Sequence, residues 1–243
     1  MMDCLTALTG EAYQITPQIA VRNPTLREIY KYGEQQYFGL TQTICAAPAD
    51  RKVEIWDAMG VYWDKVDEYE LFLSTFRAVQ QHDTKILFGD LDIASFQPMP
   101  SKNLKDFVLV NRDGAVIDRA VYKLLTDYLR HIHMFKKNVV KPYDDYTREI
   151  MIEADRDDRE DAANKSFRSI LKPLVSSAIN LPGSQFRWDT VWDAPIGVFM
   201  DSIMRMQKRD RYFFTMIGIY SGCVDIKKIN KKELEWMSDD VHG

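Results

Sequence analysis

Residues 193–222 read DAPIGVFMDSIMRMQKRDRYFFTMIGIYSG, and the reading of this stretch decides the fold class. Ile196, Phe199, Met200, Ile203 and Met206 recur at three- and four-residue spacing, the period of a helix with one apolar face. Pro195 stands where a helix can begin, with Asp193 placed to cap it. Arg205, Gln207, Lys208, Arg209 and Asp210 form a polar band. A second apolar run follows, from Tyr212 and Phe213 to Ile219 and Tyr220, and Ser221-Gly222 closes it. Phe186, Trp188, Val191 and Trp192 lead into the stretch, and Trp236-Met237 ends the block. The spacing predicts a helical C-terminal block onto which the rest of the chain folds.

Upstream, helical signals continue. Pro142 breaks the pattern, and residues 143–177 predict one or two helices, with Pro173 kinking or ending the second. The segment from Arg119 to Met134 carries Val121, Leu124, Leu125, Tyr128, Leu129 and Ile132 as a buried stripe. Before it, Phe107 to Val110 is the clearest strand, and Asn111-Arg112-Asp113-Gly114 is a strong turn signal, because glycine takes the positive φ that a hairpin requires. Ala115 to Ile117 returns. Pro98, Pro100, Ser101 and Asn103 predict a loose connection, and Lys85 to Phe96 a strand and turn. Asp67 is placed to cap a helix with Tyr69, Phe72, Leu73, Phe76 and Val79 facing inward, and Val53 to Met59 is a short helix with Trp56. Thr25 and Glu28 have capping-box spacing for a helix whose apolar face runs from Leu26 to Leu40, weakened by Gly33. Residues 12–21 suit an edge strand, demoted by Pro17. In the tail, Asn230 can cap a segment from Lys231, and Asp239 to Gly243 is expected to fray.

The expected fold is therefore mainly α with a small antiparallel β-hairpin or sheet (α+β) and a helical C-terminal block. The expected division is an α+β region, 1–141, with its hairpin near 104–118, and a helical region, 142–243, unless the two form one continuous domain. The 243 residues are 46% hydrophobic and 28% charged, enough for one large core or two small ones. A net charge of −4 gives no general attraction to phosphate, so nucleic-acid binding is disfavoured despite Lys136-Lys137, Lys227-Lys228 and Lys231-Lys232. Cys4, Cys45 and Cys223 form no CxxC pair, which predicts free thiols in a reducing compartment. Residues 1–10 lack signal-peptide features, and the longest apolar run falls short of the ~20 residues of a membrane span, predicting a soluble intracellular protein.

Catalytic signals are sparse. His131 and His133 lie two apart on a predicted helix and cannot ligate one ion together. Glu153, Asp155, Asp157, Asp158, Glu160 and Asp161 are interleaved with Arg156 and Arg159, the pattern of a solvated helical face that can also steer a basic partner. Asp90 and Asp92 are a carboxylate pair without a second cluster, which reads as turn chemistry first and as a metal-dependent enzyme second. No Gly-rich phosphate loop, GxSxG or HExxH is present, and the expectation is a non-enzymatic protein that needs no cofactor.

The phrase Pro24-Thr25-Leu26-Arg27-Glu28-Ile29-Tyr30-Lys31-Tyr32-Gly33-Glu34 resembles the start of small proteins encoded in the tail modules of phages of Gram-positive bacteria. So does the closing arrangement: an aromatic-rich helix, Gly218-Ile219-Tyr220-Ser221-Gly222, then Lys227-Lys228-Ile229-Asn230 and Leu234-Glu235-Trp236. The resemblance covers about the first and last fifths of the chain and includes no catalytic signature. It implies a tail-morphogenesis protein of the tail assembly chaperone kind, which binds tape measure and tail-tube proteins in the host cell cytoplasm. The middle hairpin and acidic helix have no assigned counterpart, so a structural virion component of neck, baseplate or capsid remains the alternative, and a homo-oligomer stays open. The expected protein contacts are Trp188, Trp192, Phe199, Tyr212 and Trp236, with Glu153, Asp157 and Asp158 facing a basic partner.

Overall fold

The computed structural model describes residues 5–101, 106–230 and 234–238. The chain is mainly α, with two small antiparallel sheets. The expected cap from Asn230 onto Lys231 and the fraying of residues 239–243 lie outside the described residues, as does Cys4.

After a one-turn helix, α1 (Thr6–Thr9), the first sheet is a hairpin of β1 (Tyr13–Thr16) and β2 (Ile19–Val21). Pro17 therefore sits in a turn between two strands and not within one edge strand. Helix α2 (Leu26–Tyr32) starts with the expected capping box: Thr25 Oγ1 accepts the Glu28 N–H, and Glu28 accepts the Thr25 N–H at 2.8 Å. Gly33 does more than weaken one helix. Its φ of 103° breaks the run, and α3 (Glu34–Cys45) begins anew.

Helices α4 (Lys52–Met59) and α5 (Glu68–Gln80) follow, the latter capped by Asp67 as expected. Residues 85–96 hold no strand: Lys85–Phe88 is a one-turn helix, α6, and Ile93–Ser95 a 3₁₀ turn. The proline segment is β3 (Gln97–Pro100), which pairs with β4 (Phe107–Val110) in the register Gln97↔Val110 to Pro100↔Phe107. It is an exposed edge strand, where a missing N–H is tolerated. The turn ending in Gly114, φ 79°, then leads to β5 (Val116–Ile117).

Helix α7 (Arg119–His133) is the centre of the main core. Its Tyr122, Leu125, Tyr128, Leu129 and Ile132 are buried, and Tyr13 of β1 stacks on Tyr128 at 4.7 Å between ring centroids. Each such large apolar side chain contributes about 1.5–3 kcal/mol by leaving water. The same core takes Leu171 and Val175 from α9 (Leu171–Asn180) and Ile196, Phe199 and Ile203 from α10 (Ile196–Tyr220), so it draws on both sides of position 142. Pro173 neither kinks nor ends α9. It lies in the first turn, where the backbone N–H has no helical partner to lose.

Helix α8 (Asp145–Ala163) rests on a smaller apolar cluster through Ile152, together with Val53, Ile55, Trp63 and Leu71. Its inward charges tie it to neighbouring segments: Arg148 to Asp64 at 2.7 Å, Arg156 to Asp57 at 3.0 Å and Arg159 to Glu54 at 2.6 Å. Asp155 also accepts the Val53 N–H at 3.2 Å, which satisfies an orphan donor at the start of α4.

Candidate functional site

Helix α10 is anchored at its start and uncovered at its end. Pro195 occupies the cap position, and Asp193 does not cap; it pairs with Arg27 at 2.8 Å instead. The capping acceptor comes from 174 positions away, because Asn23 Oδ1 accepts the Gly197 N–H at 3.0 Å. Asn23 Nδ2 donates to the Ala7 carbonyl at 2.8 Å, so this buried amide joins three segments. Gly197 lets α10 approach α7 closely: a Cβ there would stand 3.0 Å from Ile132 Cγ2.

Along the helix, Ile196, Phe199, Ile203, Met206, Asp210, Phe213, Ile217 and Tyr220 alternate at three- and four-residue steps, forming one stripe at about 100° per residue. Ile196, Phe199 and Ile203 are buried, and Met206 rests on the core. Beyond Asp210 the stripe is open to solvent: Phe213 is 55% exposed, Ile217 60% and Tyr220 82%, with Phe214 beside them at 74%. The rest of the chain therefore does not fold onto the whole of residues 185–237; it covers only the first half of α10.

The tail returns along other faces of the same helix. The Val224 N–H donates to the Gly218 carbonyl at 3.0 Å, and Arg205 Nη1 reaches the carbonyls of Met237 and Ser238, each at 3.0 Å. Lys208 Nζ reaches Ser238 O at 2.9 Å. These positions turn away from Phe213 and Ile217, leaving the stripe bare.

The expected contact residues are dispersed around this helix. Phe199 is wholly buried against Phe186, 5.5 Å between ring centroids, and offers no surface. Trp188 is 74% exposed in the loop before the 3₁₀ turn Val191–Asp193. Trp192, half-buried in that turn, lies 6.0 Å from the Tyr30 ring. Together Trp192 and Tyr30 line an apolar hollow of about 380 Å³ with Leu171, Val175 and Ile179. Glu34 fixes the wall of this hollow by accepting the N–H groups of Ile170 and Leu171 at 2.6 and 2.7 Å. Tyr212 is half-buried, edge-on to Phe213, and Trp236 is half-buried in the tail. Glu153, Asp157 and Asp158 are exposed on α8. Sequence reasoning did not single out Phe213, Phe214, Ile217 and Tyr220 as contacts. The stripe was readable, but its lack of cover was not.

Titratable groups elsewhere serve the fold. His133 is buried; its Nδ1–H donates to the Leu129 carbonyl at 2.7 Å, which leaves Nε2 to accept the Tyr37 O–H at 2.6 Å. Burial holds its pKa down to about 4, so the ring is neutral. Burial likewise pushes the Cys45 thiol up to about 12, which leaves it inert as a nucleophile. Cys45 borders a cavity of about 520 Å³ with Arg51, Arg130 and Arg159 on its walls. Those guanidiniums already engage Glu54, Glu68 and Asp155. Asp90 and Asp92 are exposed, and among the described residues no group of three or more His, Cys, Asp or Glu could hold a metal ion. No helix among the described residues is long and apolar enough to cross a membrane. Comparison with protein-family models, curated proteins and solved structures gives no match.

Proposed function

We propose that this chain works by binding other proteins, with the second half of α10 as its contact helix. The carrying observation is the stripe that is core at Phe199 and Ile203 and solvent-exposed at Phe213 and Ile217. Exposed apolar surface of this extent costs solubility, and a contiguous row of it marks an interaction site. An amphipathic helix presenting residues at this spacing is a recurrent mode of protein recognition.

In its finer form the proposal is a phage tail-morphogenesis protein, a tail assembly chaperone that coats the tape measure protein and recruits tail-tube subunits in the host cytoplasm. Support comes from the resemblance of residues 24–34 and 218–236 to tail-module proteins, since the second segment includes the end of the contact helix.

A mass-spectrometric inventory of purified particles, alongside pull-down of tagged protein from infected cells, tests this. The expected result is absence from mature particles and co-purification of the tape measure or tube protein. The double variant Phe213→Asp/Ile217→Asp should lose that capture. Presence in particles at fixed copy number would replace the chaperone with a virion component. Capture undiminished by the double variant would overturn the assignment of α10.

A further inference from the structure

We propose that the bare stripe of α10 is covered by α8 of a second copy of this chain, in an antiparallel and heterologous contact. The inference rests on the reading of α10 as a protein-binding helix and names a protein that it binds.

Helix α8 has its own outward stripe. Its inner face is fixed by Ile152, Asp155, Arg156 and Arg159, which touch the small cluster or pair with α4 and its N-terminal flank. The face turned away carries Tyr146, Ile150, Glu153 and Asp157 at steps of four, three and four, followed by Glu160 and Asp161. Tyr146 is 71% exposed and Ile150 51%. This stripe is apolar at its N-terminal end and acidic at its C-terminal end.

The stripe of α10 has the complementary order. Its uncovered part begins among basic residues, Lys208, Arg209 and Arg211, and ends apolar, with Phe213, Phe214, Ile217 and Tyr220. Laid antiparallel, Tyr146 and Ile150 meet Tyr220, Ile217 and Phe213, while Asp157 and Glu160 meet Arg209 and its basic neighbours. The lengths agree: Tyr146 to Asp157 and Arg209 to Tyr220 each span eleven positions, about 16 Å at the helical rise. Laid parallel, carboxylates would face Phe213 and Ile217, and desolvating them unpaired is costly. Within the chain, Arg209 meets the adjacent Asp210 at 3.3 Å and Glu153 meets Arg156 at 3.8 Å, both exposed pairs that are weak competitors. The chain's own tail does not compete either, because Val224 and residues 237–238 lie on other faces of α10.

Since donor and acceptor faces differ, each copy keeps one of each unsatisfied after a first contact. Association of this kind continues into a ring or an open filament. Sedimentation velocity of the full chain over a concentration series should show species larger than a dimer. Tyr146→Asp/Ile150→Asp and Phe213→Asp/Ile217→Asp should each be monomeric. Mixed, they should form a 1:1 dimer and nothing larger, because each retains the face that the other lost. Asp157→Arg or Arg209→Asp alone should weaken association about tenfold, and the two together should restore it.

A wild-type chain that stays monomeric throughout the series overturns the inference. So does association by the α8 variant alone, which would mean that α10 pairs with α10. If the wild-type chain is monomeric but captures tape measure or tube protein through Phe213 and Ile217, only the second-copy inference falls and the protein-binding reading stands. If the α10 variant changes neither association nor capture, both fall.

Discussion

The two halves of α10 have the same apolar spacing and opposite surroundings. In the first half, Phe199 and Ile203 lie within the core beside α7, and Asn23 holds the helix start. In the second, Phe213 and Ile217 continue the same stripe with no part of the described chain over it. Periodicity states which face of a helix is apolar. Only the length and placement of neighbouring elements decide how much of that face is covered.

Substitutions can break this comparison directly. Phe199→Ala should cost about 3–5 kcal/mol in chemical denaturation, because it empties a site in the closed core. Acidification should act on the same side, through His133 on α7. The native ring, with pKa about 4, refuses a proton that the unfolded chain accepts near its ordinary value of 6.5. Its contribution is therefore full above about pH 6.5 and is lost as pH falls to about 4, on the order of 3 kcal/mol. Denaturation midpoints across that window should fall less steeply for His133→Gln than for the wild type. Asn23→Ala leaves the Gly197 N–H and the Ala7 carbonyl without their partner, a loss of about 2 kcal/mol measurable by urea titration. At the small end, Phe213→Ala should change stability by less than about 0.5 kcal/mol, since that side chain already faces water. A large effect at Phe213 in a dilute monomer would erase the distinction between the halves.

The legible parts of the fold were those written locally. The Thr25–Glu28 box, the Asp67 cap, the Asn111–Gly114 turn and the stripe of α7 each depend on residues within a turn or two. Ile86-Leu87-Phe88 misled because a short apolar run has no period of its own, and here it forms one buried helical turn. Pro98 and Pro100 read as a loop, yet an edge strand pairs with only one neighbour and tolerates them. The cap of α10 was beyond local reading, since the acceptor is Asn23 and not Asp193. The site was half legible for the same reason: its aromatic residues announced a contact helix, but the sequence alone could not separate buried Phe199 from bare Phe213.

The joint between residues 22–26 and the start of α10 has a kinetic consequence. The Leu26 N–H donates to Ala194 O at 3.0 Å, the Ile196 N–H to Pro24 O at 2.8 Å, and Thr25 bridges Pro195. A contact of such sequence separation forms slowly, because closing the loop costs chain entropy before any packing repays it. During synthesis the N-terminal segment therefore waits, with its Leu26 and Ile29 side of the core incomplete, until Phe199 has left the ribosome. The helix that meets partners through its far end is also the last clasp of the fold, so ribosome-bound chains ending before residue 196 should remain protease-sensitive and chains extending past Ile203 should not.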